Sequence, residues 1–273
     1  MISAQLLSLA AIVIYSLCAI YQGRRLLLPN HNPPRHQLLH GAISAALLLH
    51  GFAAFKLITV TNNINFGILP MASISGWCIT TLLLISSLRR PLDNLFALLL
   101  PVTIISAALP LFFIGPVVPL GQLSPGVVSH ILLSMLAHGA LAIGTLQAAL
   151  LAAQEKQLKQ RATKGFIQAL PPLQTMEALL FEILWLGFIL LSLSLITGMI
   201  YLDDIFAQHL VHKTTLSIAA WLALATLLWG HHQRGWRSQT AARWTFAVFI
   251  LLMLAYFGSK LVIEIILGGN AAD

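Results

Sequence analysis

Ten histidines stand in a chain of 273 residues of which only 8% are charged. Imidazole can be neutral near physiological pH and still offer a nitrogen to iron, copper or zinc, or pass a proton. Their positions sort them. His31, His36 and His40 lie between a basic stretch and the start of an apolar run. His50 and His138 lie deep inside apolar runs, with His130 eight residues before His138. His209 and His212 precede another apolar run with Lys213 directly after, and His231 and His232 close it between Trp229 and Trp236. Lys56 and Lys260 sit at the ends of further apolar runs, and Glu264 follows Lys260 at a spacing that allows pairing on one helix face.

The elements that must position these groups are membrane helices. Hydrophobic residues make up 58% of the chain, against a charged fraction far below the roughly 25% of soluble domains. Runs of about twenty apolar residues match the length needed to cross about 30 Å of hydrocarbon. Eight spans are predicted near residues 4–22, 37–60, 67–88, 93–114, 127–152, 177–201, 212–232 and 244–268. The expected fold is therefore all-α, a polytopic membrane helix bundle forming a single membrane domain over 1–273. The first span is too long, and lacks the basic leader and cleavage site, to be a removable signal peptide, so it is expected to remain as a helix.

The connections alternate in charge. Arg24, Arg25 and Arg35, then Arg89 and Arg90, then Lys156, Lys159, Arg161 and Lys164, then Arg234, Arg237 and Arg243 occupy every second connection. The intervening ones carry no Lys or Arg, and the last holds Asp203 and Asp204. The positive-inside rule puts the basic connections in the cytoplasm and both termini outside. Basic residues confined to short loops are a topology signal, not a nucleic-acid surface. The segment 153–176 reads as a helical extension and cytoplasmic linker stopped at Pro171-Pro172, and Gly115–Gly121 as a rigid apolar stretch flat on the outer surface.

On this frame His50 and His138 lie about 16–18 Å deep. His130 and His138 are some 80° apart around one helix and can both face the interior. His130, His209, His212, Lys56, Lys213, Lys260 and Glu264 gather in the outer half. Histidines near lysines suit a tetrapyrrole, whose iron takes axial imidazoles while its propionates seek cations. The plain alternative is that the histidines hydrogen-bond between helices, as in a membrane scaffold or regulator of haem-biosynthetic or assembly partners. A proton relay through His50 and His138 is a third reading, without broken helices or a membrane-centred carboxylate to support it. His31, His36 and His40 receive no role beyond the interface. Glu177 and Glu182 could pair with Arg of neighbouring loops. Cys18 and Cys78 lie in apolar runs and form no redox or metal motif. No hydrolytic, phosphate-binding or redox motif is present, so an enzyme is not expected.

The segment His130-Ile131-Leu132-Leu133-Ser134-Met135-Leu136-Ala137-His138-Gly139-Ala140-Leu141 with Gly144-Thr145-Leu146 resembles the helix opening the core of the CcsA-type cytochrome c assembly membrane proteins and their HemX-like relatives. A second block runs from His212-Lys213-Thr214-Thr215-Leu216-Ser217 through Trp221 to Leu227-Leu228-Trp229-Gly230-His231 and Gly235-Trp236-Arg237. Ala255-Tyr256-Phe257-Gly258-Ser259-Lys260 is similar to the family's closing helix. The resemblance implies a multi-pass protein of the bacterial inner membrane that handles haem with assembly or haem-biosynthesis partners. It makes His130 an external haem ligand and puts His231 about two residues from a ligand position within the membrane. The loop Tyr201–Val211 lacks the tryptophan-rich outer motif, and 261–273 lacks the second external histidine, so the likeness is to the HemX-like branch. His130 and His212 are then the metal-ligand candidates, with Lys213 or Lys260 at a propionate, and His50, His138, His209 and His231 complete the cofactor set.

Overall fold

The computed structural model describes residues 2–27, 36–60, 63–65, 67–112, 119–120, 124–161, 168–201 and 211–258. Eight long helices result: α1 (Ile2–Leu27), α2 (His36–Ile58), α3 (Ile68–Ser87), α4 (Phe96–Phe112), α5 (Pro125–Lys159), α6 (Leu173–Tyr201), α7 (Val211–Arg234) and α8 (Ser238–Met253). A 3-10 turn, Asp93–Leu95, leads into α4, and α8 ends in a π-helical turn, Leu254–Gly258. All eight are long and apolar enough to cross a membrane once these end turns are included. The expected all-α membrane bundle is what forms. Three extended pieces of two or three residues, β1 (Thr59–Val60), β2 (Asn63–Asn65) and β3 (Pro119–Leu120), add a small antiparallel ribbon, with Thr59 opposite Ile64 and Ile64 opposite Leu120.

Helix ends differ from the apolar spans where polar residues stay helical. α5 continues to Lys159 and α8 starts at Ser238 rather than near 244. Hydropathy marks the part of a helix that suits hydrocarbon, while the backbone ladder continues into water. The start of α5 is set locally: Ser124 caps it by accepting from the Val127 amide at 3.3 Å, and Pro125 occupies the first turn.

The chain forms two compact units, residues 1–121 with 161–171, and 122–160 with 172–273. In the first, α1 packs on α2 and α4, and α3 on α2 and α4, closing a four-helix ring. Tyr15, Ile43, Leu83, Leu95, Phe96 and Leu100 are fully buried there. In the second, α5 packs on α6 and α8, and α7 on α6 and α8, around Leu141, Leu151, Leu180, Leu184 and Leu224. Large apolar side chains such as Leu6, Val13, Leu17, Phe52 and Ile196 point outward, as a lipid-facing surface requires. Hydroxyls within the helices bond back to the preceding turn, as Thr81 does to Trp77 O and Thr145 to Leu141 O, which satisfies them without water.

Candidate cofactor site

Where α5 and α6 meet, at the end opposite the basic connections of these helices, the backbones run close because glycines face the partner helix. A Cβ on Gly126 would lie 2.2 Å from the Tyr201 ring, and one on Gly187 2.7 Å from Leu141. Such small-residue contacts are how membrane helices approach each other. His130, one turn into α5, lies against Gly198 of α6, where an added Cβ would sit 3.0 Å from Cε1. Its Nδ1 is 2.8 Å from the Ser194 carbonyl oxygen. A carbonyl can only accept, so Nδ1 carries the proton, and Nε2 is the nitrogen left outside this bond. The Ser194 hydroxyl meets Ser134 Oγ at 2.7 Å, and Ser134 donates to His130 O at 2.7 Å, which ties both sides of the contact together.

The half-buried His130 lines a cavity of about 410 Å³ together with Ser192, Gly198, Lys213, Ser217 and Trp221. This volume falls in the range of about 300–1,000 Å³ typical of small-molecule sites. Its walls are mainly apolar, and Trp221 is fixed by donating Nε1–H to Ser192 Oγ at 2.8 Å and by stacking on Phe188 with centroids 5.5 Å apart. A histidine with an accepting nitrogen, a lysine and an apolar wall suit an amphipathic, anionic tetrapyrrole.

The other sequence candidates are placed as follows. His212 is exposed in the first turn of α7 and does not line this cavity, although Lys213 does. His209, Lys260 and Glu264 lie outside the described residues. His138 is buried in the second unit, facing α8 rather than the α6 contact of His130, with its ring 5.5 Å from Phe249 and 5.7 Å from Tyr256. Its Nε2 has no hydrogen-bond partner among the described residues. His50 is buried in the first unit, Nε2 3.0 Å from Ser73 Oγ and its ring 5.9 Å from Tyr15. The two central histidines thus belong to different units, each with its own apolar surroundings.

His231 is built into the α7–α8 turn. Its Nδ1–H donates to Trp236 O at 2.8 Å, and its ring stacks on Phe181 with centroids 3.4 Å apart. The turn needs glycine twice: Gly235 has φ +65°, and a Cβ on Gly230 would meet the Trp236 ring at 2.4 Å. Nearby, Glu177 pairs with Arg237 at 3.5 Å, the kind of loop pairing expected of it. Sequence reasoning passed over a further grouping: His36 and His40 both bond Asp93. The available signal was the four-residue spacing of the histidines and the fact that Asp93 is the sole acidic residue before Glu155.

The fold is an all-helical multi-pass membrane bundle whose second unit carries a pocket lined by histidine and lysine beside the α5–α6 seam. The chain belongs to the cytochrome c assembly protein family, whose sequence profile matches residues 39–267. It is 33% identical over 261 residues to the inner membrane protein YpjD of Escherichia coli strain K12, covering 95% of this chain and 98% of that one. A 28.8 kDa protein of Azospirillum brasilense, from the region 5' of a nifR3-like gene, is 28% identical over 94% of this chain and 98% of its own length. Protein HemX of Brevibacillus brevis is 24% identical over 132 residues, 48% of each chain. No solved structure matches significantly. The protein is a multi-pass protein of the inner membrane, and the likeness to a HemX-containing branch stands.

Proposed function

We propose that the protein binds haem in the α5–α6–α7 pocket of its second unit, as a haem-handling member of its family acting with assembly or haem-biosynthesis partners. The observation that carries this reading is the His130 imidazole. Its Nδ1 proton is held by Ser194 O, its Nε2 is left as the basic nitrogen, and its ring lines the same cavity as Lys213. A second-sphere bond from the non-ligating nitrogen to a carbonyl is how ligating histidines are oriented. Haem, when bound, would bring a redox-active iron. The chain would contribute the His130 imidazole to the iron, the Lys213 cation to the propionates and a mainly apolar wall.

His212 stands one residue before Lys213 in the first turn of α7 but is exposed and does not line the pocket, so among the described residues His130 is the histidine the pocket offers to the iron. No catalytic step is assigned to the chain. The test is the visible spectrum of protein purified with haem or reconstituted with it. His130→Ala is expected to lower occupancy or change the spin state, and His36→Ala to leave the spectrum unaltered. Wild-type protein that takes up no haem would overturn this reading and leave that of a scaffold without bound cofactor.

A further inference from the structure

Asp93 sits buried in the 3-10 turn that leads into α4, between Leu92, which is 2% exposed, and Leu95 and Phe96, at 1% and 0%. A carboxylate so far from water needs partners that replace its hydration. Both of its oxygens are turned to α2: Oδ2 to His36 Nδ1, and Oδ1 to His40 Nε2 at 2.8 Å. His36 and His40 are four residues apart, on one face of the first turns of α2. The turn is held from outside this contact, since Gln22 Nε2 donates to Asp93 O at 2.7 Å and Asn94 Nδ2 to Ala169 O at 3.2 Å. One ligand atom from each of the three residues lies within 4.8 Å of the other two, and Ser87 Oγ is 3.4 Å from His40 Nε2.

We propose that His36, His40 and Asp93 form a binding site for a divalent transition-metal ion of the zinc or ferrous class. Two imidazole nitrogens and one carboxylate oxygen are the donor set of such ions, whereas calcium and magnesium take oxygen throughout. Histidines four apart are the means by which one helix supplies two ligands to a single ion. Ligand atoms around a tetrahedral ion with bonds of about 2.0–2.1 Å lie about 3.3 Å apart. The ion takes the place of the protons held between the imidazoles and the carboxylate, and Asp93 offsets one of its two charges.

The site has a rigid side and an open side. His40 is packed edge-on against Phe96 at 6.4 Å, and the Asp93 backbone is anchored by Gln22. His36 is 48% exposed at its side chain, which gives the ion a route from water and leaves room for a water as fourth ligand. This site is distinct from the His130 pocket, which belongs to the other unit.

The test uses the full chain in detergent, stripped with a chelator and titrated with Co²⁺ or Zn²⁺ alone. Wild type is expected to bind about one equivalent, with the visible absorption of imidazole-coordinated Co²⁺ and a rise in unfolding temperature. His36→Gln, at the most exposed of the three side chains, is expected to weaken binding at least about tenfold while the metal-free protein unfolds near the wild-type temperature. His40→Gln and Asp93→Asn should do the same to binding. His130→Ala should leave Co²⁺ binding intact, so this proposal and the haem reading fail independently. Wild type that binds neither ion, or histidine variants that bind like wild type, would show that the cluster is an ion pair joining α2 to α4 and overturn the proposal.

Discussion

At Gly198 a single methyl group decides whether His130 keeps its place. A Cβ there lies 3.0 Å from Cε1 and 3.2 Å from Nδ1 of the imidazole, closer than ordinary contact. The ring must tilt away from Ser194 O or α6 must move, at a cost of about 1–3 kcal/mol. Gly198→Ala is therefore expected to lower haem occupancy several-fold in an absorption titration. Gly23→Ala, where nothing lies within 4 Å, should leave the spectrum unchanged. A second residue tests the opposite sign. The Tyr15 hydroxyl is buried with no hydrogen-bond partner among the described residues. A buried donor left unmade costs about 1–3 kcal/mol, so Tyr15→Phe is expected to hold or raise the unfolding temperature in detergent. A clear fall would show that the hydroxyl is satisfied.

Among the elements, α5 and α6 share the most extensive seam, with glycine on either side of it. Gly187 receives Leu141, whose Cδ2 would stand 2.7 Å from an added Cβ, whereas at Gly144 the nearest atom, on Leu184, is at 3.3 Å. Gly187→Ala is expected to destabilise the second unit by about 1–3 kcal/mol, and Gly144→Ala by less. Because the clash is with one side chain, adding Leu141→Ala to Gly187→Ala should cost less than the sum of the two single changes. Thermal unfolding of the three variants measures this coupling. Additive losses would mean that α6 moves as a body rather than that Leu141 is displaced. At the other end of the unit, Glu155 gathers Ser238 Oγ at 2.5 Å and Lys159 at 2.8 Å, and so links α5 to the start of α8.

For the whole molecule, eight helices organise the basic residues into alternate connections. We propose from this asymmetry that both termini face away from the cytoplasm. A reporter fused after Asp273 that is active only in the cytoplasm is expected to be silent. Activity would reverse the orientation and move the His130 pocket to the cytoplasmic leaflet and the His36–His40–Asp93 cluster to the opposite one.

The spans were legible in the sequence because hydropathy and charge are properties of a local window, and a bilayer sorts windows by length and polarity. The family resemblance was legible in the blocks around His130 and Lys213. Glu177 could be matched to an arginine because loops at one face are close neighbours. What folding alone decided is which distant residues meet. Asp93 is 57 residues from His36 and 53 from His40, and Ser194 is 64 from His130. No window contains any of these three pairs, so a histidine spacing that looked merely interfacial became a three-residue cluster only when the turn leading into α4 was packed near α2. The protonated nitrogen of His130 likewise follows from α6 presenting a carbonyl there. His231, legible as a ligand candidate, is held in a turn because Trp236 folds back over Gly230, a contact made by packing and not by spacing.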